Sequence, residues 1–221
     1  MKTKGFIGLG VMGFPMAGHI SKAYPTQVYN RTLSKAKDWV DLYSGTIALS
    51  PEEMGNACDE IFMCIGNDDD VREVVSGEKG LLKSLKSGSI IVDHTTTSAK
   101  LSREISDFCS EKGVHYIDAP VSGGQAGADN GSLTIMAGGK EDPFNIACET
   151  MSCYSKFYKL MGPSGSGQLT KMVNQICIAG LVQGLAEGIN FSQKTGLDVS
   201  SVIEVISKGA AQSWQMENRY K

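Results

Sequence analysis

Three short segments of this chain carry residues whose types and spacing could do chemistry. Residues 8–13 hold three glycines in G-x-G-x-x-G spacing, residues 118–124 end in a serine and two glycines, and residues 171–175 hold a lysine and two amides. Glycine turns bind phosphates, exposed amides beside a hydroxyl bind carboxylates, and a lysine among apolar neighbours exchanges a proton readily. The three segments together indicate a nucleotide cofactor and an anionic substrate.

The glycine turn follows an apolar stretch, Lys4 to Leu9, and precedes a helix-like segment with Pro15 in its first turn. Gly8 permits a tight turn, Gly10 lets a pyrophosphate approach the backbone, and Gly13 lets the helix pack closely on the strand. Because 26 glycines produce G-x-G by chance, the strand-turn-helix context is what favours a dinucleotide over a bland glycine-rich turn. The predicted cofactor contacts in this turn are Gly8, Leu9, Gly10, Val11, Met12 and Gly13.

Asn30, Arg31 and Thr32 stand at the end of the second predicted strand, where the adenosine ribose is expected. An acidic residue there would accept hydrogen bonds from the ribose hydroxyls and repel a 2′-phosphate, whereas these three offer donors and a positive charge. They therefore favour NADP(H) over NAD(H), although NAD(H) stays possible. The alternative interpretation is a surface arginine at the start of a helix.

Two further loops follow predicted strands at the edge where such sheets bind ligands. Gly66, after Ile65, would let the cofactor lie close, and Thr96 would hydrogen-bond it. Each loop alone is also consistent with an ordinary strand-to-helix connection. The acidic run 68–70 is typical of a helix N-terminus, where carboxylates complement the helix dipole, so we predict no metal site.

The segment from Asp118 to Gly124 has the form of a strand that runs into an anion receptor. Ser122 offers a hydroxyl, and Gly123 and Gly124 have no side chain to obstruct an approach to their amides. We predict that these three residues bind a substrate carboxylate. The alternative, a hydrolytic nucleophile at Ser122, lacks the G-x-S-x-G sequence that such a serine needs.

Lys171, Asn174 and Gln175 share one face of an otherwise apolar helical stretch, at positions i, i+3 and i+4. A lysine in such surroundings loses its proton more readily, which suits a general acid/base near neutral pH. The alternative is a lysine that extends its ammonium to solvent beside two amides with structural partners. The glycine turn and the Ser122 segment are what favour the catalytic interpretation.

Composition indicates a small-molecule partner. The 221-residue chain has a formal net charge of −3 and no long Lys/Arg run, which argues against nucleic acid. Its six cysteines form no C-x-x-C pair and no histidine lies at a metal-ligand spacing from them, so we expect reduced thiols, a cytoplasmic protein and no zinc. No uncharged apolar run is long enough to cross a bilayer, and we expect no membrane partner.

Short apolar runs alternate with helix-like segments up to about residue 160, which predicts an α/β fold with a doubly wound, mostly parallel sheet. Composition changes at the Gly/Ser-rich residues 162–167, which places a boundary between residues 1–162 and 163–221. After it the pattern predicts one long helix over 166–195, a second over 199–207 and a polar tail. One further helix cannot surround the apolar helix over 166–195. We therefore expect the second domain to be truncated or completed by another chain. The predicted strands are 4–9, 26–30, 46–48, 61–65, 90–93, 115–119, 133–137 and 156–159, and the predicted helices between them are 13–22, 33–42, 51–56, 69–75, 98–111 and 142–151.

The same segments closely resemble the β-hydroxyacid dehydrogenase family, which includes 3-hydroxyisobutyrate dehydrogenase, tartronate semialdehyde reductase and glyoxylate/succinic semialdehyde reductases. The matching stretches are 8–17, 118–124 with 127 and 131–139, and 162–175, in order over nearly the whole chain. The stretch from Asn30 to Lys35 is similar to that of the NADPH-using members.

The resemblance implies a Rossmann-type domain to about residue 162 and an all-helical second domain that carries contacts of a homodimer or homotetramer. It implies Lys171 as the catalytic acid/base, Asn174 as a substrate-positioning amide with Gln175 beside it, and Ser122, Gly123 and Gly124 as the carboxylate grip. The implied reaction is hydride transfer between nicotinamide and a small hydroxy acid or its semialdehyde, while Lys171 moves the proton.

Two other functions remain open from the sequence. An imine reductase on the same scaffold is disfavoured because such relatives usually lack the lysine at position 171. A non-catalytic NADP-binding or oligomerising module is also disfavoured by Lys171, but the small number of helices after residue 162 leaves it open.

Overall fold

The computed structural model describes residues 2–220 and divides into two compact units, Met1–Lys171 and Met172–Lys221. The first unit is built on a six-stranded sheet whose strands are β1 (Lys4–Ile7), β2 (Thr26–Tyr29), β3 (Thr46–Ile47), β4 (Glu60–Met63), β5 (Ile90–Asp93) and β6 (His115–Asp118). All are parallel and lie in the order β3-β2-β1-β4-β5-β6. The connections change direction beside β1, and sheets of this kind bind dinucleotides at that point. The prediction of a doubly wound parallel sheet is confirmed.

Alternate residues of the central strands enter two separate cores. Phe6 and Phe62 lie in the core on one face, whereas Ile7 and Ile61 lie in the core on the other, and all four are essentially buried. Side chains of a strand point alternately to its two faces, so a sheet covered on both sides needs apolar residues at every position. This explains why these strands read as continuous apolar runs in the sequence.

The helices of the first unit are α1 (Gly13–Ser21), α2 (Leu33–Leu42), α3 (Pro51–Ala57), α4 (Asp68–Ser76), α5 (Ala99–Glu111), α6 (Gly124–Asp129) and α7 (Glu141–Met151), with a 3-10 turn at Leu81–Lys83. The predicted helix at the acidic run is confirmed, because α4 begins at Asp68. The Asn67 side chain accepts from the amides of Asp69 and Asp70 at 2.9 and 3.1 Å and caps this helix. The carboxylates therefore complement a helix terminus.

A second, three-stranded sheet follows β6. It consists of β7 (Val121–Ser122), β8 (Leu133–Ala137) and β9 (Ser155–Leu160), with β7 and β8 antiparallel and β8 and β9 parallel. The sequence interpretation missed β7 and α6 because Pro120 and the glycines that follow indicate a loop. The strand β7 forms because Val121 and Ser122 pair with Ile135 and Thr134 of β8, a contact between residues more than ten positions apart.

The long helix α8 (Ser166–Lys194) begins in the first unit and continues into the second, where α9 (Val199–Ile206) and α10 (Trp214–Arg219) follow. The prediction of one helix after α8, followed by a polar tail, was wrong, because α10 occupies that tail. Ser213 caps α10 by accepting from the Met216 amide at 3.1 Å.

By length and composition alone α8 is long and apolar enough to cross a membrane, a criterion that core helices of soluble proteins also meet. Its stretch without charge runs only from Met172 to Ala186, between Lys171 and Glu187. None of its most apolar window is buried in the described structure. The absence of a membrane partner therefore stays a prediction.

Candidate active site at the carboxyl edge of the sheet

The glycine turn after β1 is closely packed at two glycines and open at the third. Gly8 has φ +93°, and a Cβ there would lie 2.2 Å from the Cys64 carbonyl oxygen. A Cβ on Gly13 would lie 1.9 Å from the Gly8 carbonyl oxygen, whereas a Cβ on Gly10 would meet nothing within 4 Å. Packing therefore explains Gly8 and Gly13, and the open space at Gly10 is what a phosphate group needs to approach the backbone.

A cavity of about 650 Å³ lies along this turn and the neighbouring strand ends. Seven predicted cofactor residues line it, namely Gly8, Gly10, Asn30, Arg31, Thr32, Ile65 and Gly66, and Lys35 and Lys79 line it as well. Its position, size and open glycine fit a dinucleotide, and these are the residues that would hold it.

The other predicted cofactor residues lie outside this lining. Leu9 is buried and its amide donates to Asn30 Oδ1 at 2.9 Å, which ties the turn to the end of β2. Val11 is mostly exposed, Met12 and Gly13 open α1, and Thr96 is exposed in the loop after β5.

Arg31 has a partner that the sequence did not indicate. Its guanidinium donates to Asp70 Oδ1 at 3.1 Å, with the Arg31 side chain 86% and the Asp70 side chain 29% exposed. Asp70 also reaches over Gly66, because a Cβ on Gly66 would lie 2.1 Å from Asp70 Oδ2. The positive charge expected to favour a 2′-phosphate is therefore shared with a carboxylate on α4 that lines the same cavity. No sequence signal links residues so far apart.

The residues predicted to bind a carboxylate lie where β7 ends and α6 begins. Ser122 is half-buried, and its hydroxyl has no hydrogen-bond partner among residues 2–220. Gly123 and Gly124 have φ +137° and +61°, which lie in the region that favours glycine. Both glycines are exposed, and a Cβ on Gly124 would meet nothing within 4 Å. The segment therefore presents an unpaired hydroxyl beside open backbone.

Lys171 lies next to this segment. Its Nζ donates to the Val121 carbonyl oxygen at 2.7 Å, one residue before Ser122. Burial lowers the pKa of Lys171 below its ordinary value of 10.5. The structure thus brings together the lysine and the grip, which are separated in sequence, and the lysine is half-buried rather than extended into solvent.

Asn174 and Gln175 lie on α8 after Lys171, in the second unit. The Asn174 amide nitrogen donates to Gln175 Oε1 at 2.9 Å. Asn174 is half-buried and Gln175 is exposed.

Burial shifts the pKa values of two neighbouring polar residues, Asp93 and His94. The pKa of Asp93 is raised to about 6, first by burial, although Thr95 and Tyr116 donate to its two oxygens at 2.8 Å each. His94 Nδ1 lies 2.7 Å from the Ala119 carbonyl, which only accepts, so Nδ1 carries the proton and Nε2 accepts from the Tyr154 hydroxyl at 2.8 Å. Burial lowers the pKa of His94 to about 4, so this histidine is neutral at pH 7.

Both parts of the chain match domains of known NAD(P)-dependent dehydrogenases. Residues 3–162 match the NAD binding domain of 6-phosphogluconate dehydrogenase, and residues 165–221 match the NAD-binding domain of NADP-dependent 3-hydroxyisobutyrate dehydrogenase. An uncharacterized oxidoreductase of Shewanella frigidimarina is 57% identical over 222 residues, which cover 100% of this chain and 76% of that protein.

Two solved structures are similar to this chain over nearly its whole length. Mycobacterium tuberculosis 3-hydroxyisobutyrate dehydrogenase with L-serine has a TM-score of 0.90 at 25% identity, over 100% of this chain and 75% of that one. The protein Psf3 in complex with NADP⁺ and 2-OPP has a TM-score of 0.89 at 26% identity, over 97% of this chain and 76% of that one.

Proposed function

Because this chain belongs to the β-hydroxyacid dehydrogenase family of NAD(P)-dependent oxidoreductases, we propose that it interconverts a small hydroxy acid, of the 3-hydroxy acid class, and its semialdehyde or keto form. Lys171 serves as the general acid/base. The observation that carries this proposal is the position of Lys171 Nζ, 2.7 Å from the carbonyl of Val121, the residue that directly precedes Ser122 and the exposed backbone of Gly123 and Gly124.

The proton step follows from the surroundings of Lys171. The nicotinamide, when bound, supplies or accepts a hydride at the reacting carbon. In the reductive direction the Lys171 ammonium gives a proton to the oxygen of that carbon as negative charge develops there. In the oxidative direction neutral Lys171 removes the hydroxyl proton. The lowered pKa of Lys171 brings both forms closer to physiological pH than for a free lysine.

Substrate orientation comes from the serine and the two glycines. A carboxylate held by the Ser122 hydroxyl and the Gly123 and Gly124 backbone places the neighbouring carbons at the lysine, because Val121 and Ser122 are consecutive residues of β7. Asn174 and Gln175 offer amides along the same helix as Lys171 for the substrate's other oxygen atoms. Charge-assisted hydrogen bonds of this kind are stronger than neutral ones, which favours a substrate that bears a carboxylate.

We propose NADP(H) as the preferred cofactor. Arg31 and Lys35 line the cavity at the end of β2 and supply positive charge, and Asn30 there is amide rather than acid. The structural relative Psf3 was solved with NADP⁺. Asp70 weakens this preference because it neutralises part of the Arg31 charge.

We further propose a homo-oligomeric cytoplasmic protein. Several large apolar side chains of α8 are exposed in a single chain, including Val173 and Ile176, and a partner copy would bury them. The six cysteines are all free thiols in the described structure, as expected in a reducing compartment. Light scattering of the purified protein measures its oligomeric state and so tests the proposed homo-oligomer.

Turnover of NADPH and NADH with glyoxylate, succinic semialdehyde, tartronate semialdehyde, methylmalonate semialdehyde and a cyclic imine tests the function. We expect reduction of one of the aldehydes or keto acids with NADPH, and loss of that activity in Lys171→Ala while NADPH still binds. Lys194→Ala, a lysine at the end of the same helix, is the matched control and should retain activity. Reduction of the imine alone would identify an imine reductase, and tight NADPH binding without any turnover would identify a binding module.

A further inference from the structure

The side chain of Gln168, which no prediction from the sequence used, spans from α8 to the loop after β5. It is 0% exposed, its Nε2 donates to the Thr95 carbonyl at 2.7 Å, and its Oε1 accepts from the Thr97 amide at 3.0 Å. The Thr95 carbonyl only accepts and the Thr97 amide only donates, so the Gln168 amide fits in one orientation. Thr96, the residue between these two backbone groups, is exposed and is a predicted cofactor contact.

The backbone around Gln168 is held by a second buried group at the end of β6. The Asp118 carboxylate accepts from the Gly165 amide at 2.7 Å and from the Gln168 amide at 3.0 Å, and it therefore caps the start of α8. Both neighbouring glycines leave room for it, because a Cβ on Gly138 or Gly167 would lie 2.6 or 2.8 Å from an Asp118 carboxylate oxygen. The first turn of α8 is thus fixed to the ends of two adjacent strands, β5 and β6.

From these contacts we propose that Gln168 is a positioning residue that sets Lys171 relative to the Thr96 loop, with Asp118 as its support. The proposal rests on the proposed function, since it concerns the proton carrier and the cofactor loop of that reaction. Lys171 lies one helical turn after Gln168, so a shift of the first turn of α8 moves the amine directly. The hydrogen bonds of the Gln168 side chain go to backbone groups of Thr95 and Thr97, so Gln168 acts through the Thr96 loop and through Lys171.

The reason for a glutamine, rather than any buried residue, is its paired donor and acceptor. A carboxylate at this position would accept from Thr97 but would face the Thr95 carbonyl with a second acceptor. A protonated carboxyl has the same donor and acceptor as the amide and restores both bonds. Asp93 and Asp118 face this position from β5 and β6, and Lys171 lies on its own helix.

The test compares Gln168→Met and Gln168→Glu with wild type and with Gln193→Glu, an exposed glutamine of α8, in the complete protein. Gln168→Met should lower kcat by about 100-fold, the cost of a misplacement of about 1 Å, with little change in the substrate KM. Gln168→Glu should be equally impaired at alkaline pH, and its kcat relative to wild type should recover as the pH falls. Taking the ratio removes the titrations that the substitution leaves unchanged.

Hydrogen exchange followed by mass spectrometry provides a readout that needs no turnover. Gln168→Met should speed exchange in residues 95–98 and in residues 165–171 together, and Gln193→Glu should change neither segment. Unchanged exchange in residues 95–98 would overturn the proposal, as would unchanged kcat in a folded Gln168→Met protein or a Gln168→Glu ratio that does not vary with pH. If wild type reduces no substrate, the proposed function fails, and the exchange experiment still decides whether Gln168 couples the two segments.

Discussion

Replacing Gly10 by alanine separates a glycine needed for a ligand from glycines needed for packing. A Cβ on Gly10 would meet no heavy atom within 4 Å, and Gly10 is not among the glycines with positive φ. At such positions alanine stabilises a protein by about 0.4–1 kcal/mol, because the unfolded chain loses conformational freedom. We therefore expect Gly10→Ala to unfold at an equal or higher urea concentration than wild type.

Cofactor binding should respond in the opposite direction. The added methyl group occupies the space through which a pyrophosphate approaches the backbone. Losing one hydrogen bond to a charged group costs about 1.5–3 kcal/mol, which corresponds to about a 10- to 150-fold weaker Kd. Titration of NADPH fluorescence measures this change, and urea denaturation followed by circular dichroism measures stability on the same samples.

Alanine at Gly8 and Gly13 supplies the controls. A Cβ on Gly13 would lie 1.9 Å from the Gly8 carbonyl oxygen and 2.9 Å from Phe6 Cε1, so the turn must shift to admit it. Gly8 has φ +93°, where a side chain costs about 1–2 kcal/mol before any clash. Both variants should unfold at lower urea concentrations. Wild-type NADPH affinity in Gly10→Ala would refute the assignment of this turn to the phosphates, and a Gly10→Ala protein as unstable as Gly13→Ala would refute the packing argument.

Three further predictions concern charged groups. Burial lowers the pKa of Lys171, so reductive kcat should fall and oxidative kcat should rise as the pH increases through the lowered pKa of Lys171. Flat pH profiles of kcat in both directions of the reaction would exclude Lys171 as the proton carrier. Asp70→Asn removes the ion-pair partner of Arg31, and an exposed ion pair is worth about 0.2–1 kcal/mol. NADPH should therefore bind up to about fivefold tighter to this variant, and its affinity should increase more than that of NADH. Tyr116→Phe removes the donor to Asp93 Oδ2 and should lower the free energy of unfolding by about 1–3 kcal/mol when Asp93 is ionised. The pKa of Asp93 is about 6 in the folded protein and 3.8 ordinarily, so the folded protein binds this proton first as the pH falls. The stability lost in Tyr116→Phe should therefore become smaller below about pH 6. Urea denaturation at several pH values measures this, and a loss of stability that stays constant with pH would contradict it.

The sequence predicted those elements whose cause lies within a few residues. The strand Ile90–Asp93 and the helix Leu33–Leu42 have the predicted bounds, because an apolar run or a helical pattern is bounded by local turn residues. The strand predicted from Lys4 to Leu9 ends instead at Ile7, because Gly8 turns out of the sheet with φ +93°. In the tail after residue 207, the serine cap of α10 was overlooked, although Ser213 is a helix-start residue.

The candidate site was predictable as a set of residue types and not as a set of contacts. Glycine spacing indicated the turn because Gly8 and Gly13 meet local steric needs, and Gly10 leaves the backbone between them open. The ion pair of Arg31 with Asp70 and the double hydrogen bond of Gln168 join residues 39 and more than 70 positions apart. Such pairs depend on which strands become neighbours, and no local pattern encodes that. For the same reason no local pattern shows the burial that keeps His94 neutral or the two partners that set its tautomer.

The end of β6 and the residues after it hold several groups of the candidate site in one short stretch of backbone. In the space of seven residues, Asp118 caps α8, the Ala119 carbonyl accepts from His94, the Val121 carbonyl accepts from Lys171, and Ser122 begins the open grip. These bonds lie in one short stretch of backbone, so a displacement of the stretch moves the lysine and the grip together and preserves the distance between them. A shift of α8 alone would instead change that distance. The geometry of the proposed proton transfer therefore depends more on how the first turn of α8 is held than on the rigidity of residues 122–124.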